Sequence, residues 1–471
     1  MKTKQFLIGL FIFFSLPVFA EHVSVEKAQT IANNLFQQLS STTLKTQTSL
    51  TLLHAEQNAL RASGPETFYY IFSGGEDGGF VIVAGDDRIK PVLAYAIEGT
   101  FDFSHLPPAL SWWLQKYREE ITRYTAKKAI ADDKTKAKWM QIENNTSPDN
   151  RLYNSKRLLT ANWDQDAPYN LFCPVIGNGQ ALTGCLPTAM AIIMHYHRWP
   201  EKGKGAHTYN TKTTGLKLSA TFEDVAYNWN LMRHSYKHND RDASAQAVAH
   251  LIFHCGVSME ADYGVSITTG SNYQFLSALV DHFNYDPEIK LISKNGGGYS
   301  YEEWYHFIQD EIDHNRPVYY TGRSMDPVGS HGFVCDGYNN GDVHINWGWG
   351  GYCNGYYALE ALTATADNYI DKYNYSHLEY MITNIKKAVE INDSSKEFNL
   401  PPDFALQIKG STLWINTPSA ETITIYSLTG IPLLKVEKPA GESIHSIQTC
   451  TPANYIITGS SGWTTKYRII P

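Results

Sequence analysis

The sequence predicts an α+β protein with two successive mixed modules, over residues 21–145 and 146–390, followed by a small all-β module over residues 400–471. Three observations carry that expectation. At 471 residues the chain exceeds one ordinary core and calls for two to four domains. Apolar residues at helical spacing and short strand-like runs interleave from residue 21 to about residue 385. Beyond residue 400 the pattern changes to seven short apolar alternations broken by turn residues, the mark of a β-sandwich.

Composition narrows the function. Apolar residues make up 43% and charged residues 18%, which is globular and not disordered. A net charge of −8 without a long basic run excludes a nucleic-acid partner. Six cysteines with no CxxC pair make neither a dense disulfide framework nor a structural zinc site, and no metal or cofactor is expected. Lys2 and Lys4, the apolar run Phe6 to Phe14 and the small residues Val18 and Ala20 read as an export signal over residues 1–20. The chain is therefore expected to be secreted or held at the cell surface. That run is too short to span a bilayer and no other is long enough, so no membrane span is expected in the mature form.

In the first module, His22 to Leu39 carries a helical pattern. Phe68 to Phe72 and Gly79 to Gly85 read as strands joined by the turn-rich segment 73–78, with Val92 to Tyr95 as a third. Pro107 and Pro108 precede a helix from Ala109 to about Lys128 that bears Trp112, Trp113 and Tyr117. No nucleophile here stands beside a base. Residues 129–155 are polar and read as an exposed linker open to proteolysis.

In the second module, helices are expected from Cys185, over Ala243 to Cys255, over Asn272 to Phe283, and from the capping box Ser300-Tyr301-Glu302-Glu303 to about His314. Strands are expected over Pro317 to Gly322, His331 to Asp336 and Val343 to Trp347, the last two joined by a turn at 337–342.

Two constellations carry chemistry. In Gln180-Ala181-Leu182-Thr183-Gly184-Cys185-Leu186-Pro187, a cysteine stands where a turn becomes a helix, with Thr183 offering a cap. Unpaired N–H groups and the helix dipole favour thiolate, the nucleophilic form. On this stretch alone a buried inert thiol is an equally open reading. The partner is His331, which begins one strand, with Asn346 and Trp347 on the next. A loop of about four residues, Gly337 to Asn340, would set His331 opposite Asn346, whereas a two-residue turn at Asn340-Gly341 would hold them apart. An asparagine beside the ring fixes its tautomer and a tryptophan shields that bond, the Cys-His-Asn logic of a thiol protease.

These residues, with His195 to Pro200, Ser330 to Gly337, His344 to Gly351 and the stretch Trp163-Asp164-Gln165 to Pro174, resemble the streptopain family of papain-fold cysteine proteases, over roughly residues 22–360. The resemblance implies a papain-like domain with Cys185 as nucleophile, His331 as general base and then acid, and Asn346 or Trp347 orienting and shielding it. Gln180 precedes the cysteine much as an oxyanion glutamine does, beside the backbone N–H of Cys185. The resemblance also implies that residues 21–145 are an inhibitory propeptide, partner to the chain's own protease, and that cleavage in the linker activates it on protein or peptide substrates. The C-terminal module, through Thr424 to Gly430, resembles the sorting domains handled by type IX secretion machinery. The alternatives are a silent binding protein on a protease scaffold and a thiol amidase acting on cell-wall peptides.

The other candidates have plainer readings. His250 and His254 stand one turn apart, but no Glu completes a metalloprotease pattern, and packing is the favoured role. His195 and His197 face different sides of their helix. Cys173 and Cys353 are an open disulfide pairing, Cys335 is read as buried and inert, and Asp336 as a turn support.

Overall fold

The structure is a computed structural model describing residues 22–40, 49–58, 66–126, 130–146, 156–324, 330–360, 377–388, 404–409, 412–427, 432–446, 454–461 and 464–468. The expected leader over residues 1–20 and Cys450 lie outside them. Contacts divide the chain into one unit up to Lys387 and a second from Ala388.

The first unit opens with α1 (Val25–Ser40), whose Ala28, Ile31, Ala32, Leu35, Phe36 and Leu39 form one buried stripe at helical spacing. It covers an antiparallel meander of β1 (Thr51–Asn58), β2 (Glu66–Ser73), β3 (Phe80–Ala84) and β4 (Val92–Ala96). All of β3 is buried, so it reads as a continuous apolar run. β1 was not expected: its Leu52 and Leu53 are both exposed and its sequence does not alternate. Pro108 opens α2 (Pro108–Ala126), where a missing N–H costs nothing.

Residues 133–143 correct the expected linker, because they form α3 (Asp133–Glu143). Asp132 caps it by accepting from the Thr135 N–H at 2.6 Å. Trp139 is buried and donates to the Ile89 carbonyl at 2.9 Å. Thr135, Trp139 and Ile142 make a narrow buried stripe on an otherwise charged helix, and polar composition concealed it. Residues 147–155 lie outside the described ones.

The central region contributes β5 (Lys156–Arg157), the hairpin of β6 (Val175–Ile176) and β7 (Gly179–Gln180), α4 (Cys185–His197), the hairpin of β8 (Ala206–Asn210) and β9 (Lys217–Thr221), α5 (Ala243–Ser258) and α6 (Asn272–His282). There follow β10 (Lys290–Ser293), α7 (Lys294–Gly297), α8 (Tyr301–Asp313), β11 (Val318–Ser324), β12 (Ser330–Asn339), β13 (Asp342–Asn346), β14 (Gly355–Ala358) and β15 (His377–Thr383). The Ser300–Glu303 capping box is present at the start of α8.

These strands do not make a sheet of their own. One eleven-stranded sheet runs β1-β2-β3-β4-β14-β13-β12-β11-β15-β10, with β5 on β12. The junction is β4 on β14, with Tyr95 opposite Tyr356 and Ala94 opposite Tyr357. Alternation along the strands splits the core. Tyr320, Phe333 and Met381 pack with α2, while Tyr319, Val334 and Ile382 pack with α4, α5 and α6.

The turn between β12 and β13 departs from expectation. Asn340 and Gly341, with φ of 49° and 91°, make a two-residue loop whose twist matches the strands. A bulge lies between Cys335 and Gly337, and Asn346 faces Val334, not His331.

The second unit, described by itself, holds β16 (Ala405–Lys409), β17 (Thr412–Thr417), β18 (Glu421–Ser427), β19 (Pro432–Lys438), β20 (Gly441–Ser446), β21 (Asn454–Gly459) and β22 (Thr464–Arg468). All seven expected alternations are strands. A three-stranded sheet, β16-β17-β20, and a four-stranded one, β19-β18-β21-β22, enclose Leu413, Ile415, Ile423, Ile425 and Ile457. No helix among the described residues is long and apolar enough to cross a membrane.

Candidate active site

The turn before α4 is tied down from several sides. Leu182 N–H donates to the Gly264 carbonyl at 3.1 Å and Thr183 N–H to the Gln165 carbonyl at 3.0 Å. Thr183 does not cap the helix, because its hydroxyl bonds that of Thr188 at 2.8 Å. The cap position is Gly184, at φ 90°, where a Cβ would lie 2.9 Å from Thr268. Cys185 is the first helical residue, and Gly184 supplies no side-chain cap to the N–H groups beneath its thiol.

The thiol meets β12 directly. Gly332 N–H donates to Cys185 Sγ at 3.4 Å. His331, next to it, is 6% exposed, and its Nε2 is buried with no hydrogen-bond partner among the described residues. Among the described residues no hydrogen bond joins the thiol to the ring. Cys185, His331, Gln165 and Trp347 line one cavity of about 140 Å³, and Pro107, Pro108 and Ala109 from the start of α2 line it too. Burial pushes the Cys185 thiol up, against the N–H groups of Gly332, Cys185 and Leu186 that draw it down. Burial also pushes the His331 imidazole down. Both shifts favour the neutral thiol and neutral ring, so desolvation outweighs the N–H groups at the start of α4.

Asn346 does not touch His331. Its amide donates to the Ala161 carbonyl at 2.7 Å and accepts from Gly348 N–H at 3.0 Å, which fastens the loop after β13. Trp347 lies on that loop, its ring 4.9 Å from Phe333 and its N–H on the Cys353 carbonyl at 2.9 Å. Gln180 does not reach the site. It is exposed on β7, and its amide is held by the carbonyls of Asn170, at 3.0 Å, and Cys173. The glutamine in the cavity is Gln165, 7% exposed, with its amide 3.5 Å from the Gly348 carbonyl. It lay within the quoted Trp163-Asp164-Gln165 stretch, but stands twenty residues before Cys185 and carries no local sign of a shared site.

The remaining candidates are held by packing. His195 lies 4.7 Å from the Trp163 ring and is pushed down to about 4, chiefly by burial. His197 shares a hydrogen bond with the Tyr285 hydroxyl and is likewise pushed down to about 4. His254 is bonded to the Tyr227 hydroxyl and pushed down to about 3, with the His250 ring edge-on to it at 4.5 Å. No group of three or more His, Cys, Asp or Glu able to hold a metal occurs among the described residues. Cys173 and Cys353 are free thiols in separate clusters, and Cys335 is buried. Asp336 is fully buried and pairs with His344 and with Leu159 N–H at 3.0 Å, holding the segment after β5.

Residues 163–357 match the peptidase C10 family, and residues 20–121 match the Spi protease inhibitor family. Streptopain from Streptococcus pyogenes serotype M1 is 33% identical over 321 residues, covering 64% of this chain and 76% of streptopain. The chain belongs to the peptidase C10 family. The thiol protease/hemagglutinin PrtT of Porphyromonas gingivalis is 33% identical over 376 residues, but the chain spans only 41% of its length. A prointerpain A fragment from Prevotella intermedia superposes with a TM-score of 0.54 at 27% identity, over 70% of this chain and 98% of that one. Membership in C10 makes this an α+β cysteine protease. The inhibitor-type region ahead of it supplies Pro107 to Ala109 in the cavity and makes it a latent one.

Proposed function

We propose that the chain is the precursor of an exported cysteine endopeptidase, with residues 21–145 as propeptide, 146–390 as catalytic domain and 400–471 as a sorting module for type IX-like machinery. One observation carries the reading. The thiol of Cys185, the ring of His331 and the amide of Gln165 share a cavity closed by the start of α2. Cleavage between α3 and β5, followed by withdrawal of α2, opens it to protein and peptide substrates.

With the cavity open, His331 takes the Cys185 proton and the thiolate attacks the scissile carbonyl. The developing oxyanion accepts hydrogen bonds from the Cys185 backbone N–H and from Gln165, which takes the role expected of Gln180. The imidazolium gives its proton to the leaving amine, and the thioester remains. Water, deprotonated by His331, then releases the acid and restores the thiol. Asn346 and Trp347 act on His331 through the loop and ring packing behind its strand.

The test is casein digestion by the processed enzyme. Digestion should stop on alkylation with iodoacetamide and be absent from Cys185→Ala. Digestion that survives either treatment contradicts the proposal.

A further inference from the structure

Lys116 of α2 is seated in a built slot. Its ammonium, 3% exposed as a residue, lies 2.8 Å from Glu379 Oε1 and 2.7 Å from the Leu359 carbonyl. The Tyr320 hydroxyl donates to the same carboxylate oxygen at 2.6 Å and is itself held by the Trp304 N–H at 2.8 Å. Lys294 approaches the other oxygen at 3.4 Å and pairs with Glu360. Burial alone would raise the Glu379 carboxyl, yet Lys116 and Lys294 hold it down to about 2.

Register places this slot beside the catalytic strand. Glu379 faces Gly322 on β11, and Gly322 faces His331 on β12. Residues directly opposite one another point to the same side, and strands lie about 4.8 Å apart. The carboxylate and the imidazole therefore share a sheet face with their Cα atoms ~10 Å apart. Measured along α2, Lys116 lies ~12 Å from Pro108 in the cavity, at 1.5 Å per residue. An extended peptide spans either distance in three to four residues.

Departure of α2 takes Lys116 away, with Glu120 that lies 3.9 Å from it, so Glu379 loses its nearest cation and, among the described residues, Glu379 and Glu360 are left against Lys294. A buried carboxylate that loses its partner must find another cation or take a proton. We propose that in the mature protease this slot binds the lysine side chain of a substrate, two to four residues from the scissile bond. The substrate ammonium replaces Lys116 on Glu379 and the Leu359 carbonyl, and its methylene stem lies on the aromatic floor of Tyr320 and Phe333 that α2 uncovers. The proposal rests on the protease reading above.

The test uses processed enzyme, wild type and Glu379→Gln, on fluorogenic peptides carrying lysine or norleucine at each of four positions on either side of the cut. At one position lysine should raise kcat/KM about tenfold in the wild type. Glu379→Gln should lose that preference, cleaving its lysine and norleucine peptides with kcat/KM values within about twofold of each other. In the wild type, n-pentylamine should compete with the lysine peptide and leave the norleucine peptide unaffected, a readout that does not depend on the variant folding. No lysine preference at any position, a preference kept by Glu379→Gln, or no competition by n-pentylamine overturns the proposal. Wild-type enzyme that cleaves none of the peptides contradicts the protease reading itself.

Discussion

At Cys185 two physical terms oppose each other. The start of α4 favours thiolate, while burial at the cavity wall disfavours it, and in this form desolvation prevails. The sequence made Cys185 and His331 legible because a helix start and a strand start are local patterns. It misassigned the glutamine because Gln180 is near in sequence and Gln165 only in space. Gln165→Ala should lower kcat on a peptide substrate by roughly 10²-fold, the usual effect of losing an oxyanion donor, and Gln180→Ala should leave it within twofold. The reverse pattern would return the role to Gln180. The buried histidines set a pH dependence. His195, His197 and His254 titrate near 4, 4 and 3 in the folded chain, below their unfolded value of about 6.5. The unfolded state therefore binds more protons across that window, and stability falls as pH drops through it. Asp342, raised to about 6 by burial, works the other way, but three imidazoles outweigh one carboxyl. The urea midpoint of the Cys185→Ala precursor should fall steadily from pH 7.5 to pH 4, and a midpoint that rises would contradict this.

Helices and strands with a clear period were readable: α1, α2, β2, β3, β4 and all seven strands of the second unit. α3 was not legible because its buried stripe is only Thr135, Trp139 and Ile142 in a charged run. The β12–β13 turn follows its local Asn340-Gly341 signal and not the longer loop that a pairing of His331 with Asn346 would need. Trp139→Ala should cost the precursor about 3–5 kcal/mol, read from denaturant unfolding. A change under 1 kcal/mol would mean α3 is not anchored there. At Gly322 α2 packs tightly on the sheet, since a Cβ there would lie 2.2 Å from the Trp112 ring. Gly322→Ala should displace α2 and shorten the time to self-processing several-fold on a gel. Unchanged processing would show that α2 holds through other contacts.

On the scale of the molecule, latency and fold are one feature. The β4–β14 pairing makes the first module and the protease one sheet, and α2 is buried against that sheet. A chain with Cys185→Ala ending at Lys387 should unfold in one calorimetric transition, and two separated transitions would show that the modules are independent. Sequence pattern conveyed the modules but not their union, because the joining residues Ala94, Tyr95, Tyr356 and Tyr357 come together only through long-range pairing. The most direct test of the account is mass spectrometry of the purified precursor in reducing agent, wild type beside Cys185→Ala. The account predicts that the wild type alone loses its N-terminal part by a cut within residues 144–155. Precursors that both stay whole, or are both cut alike, would contradict it.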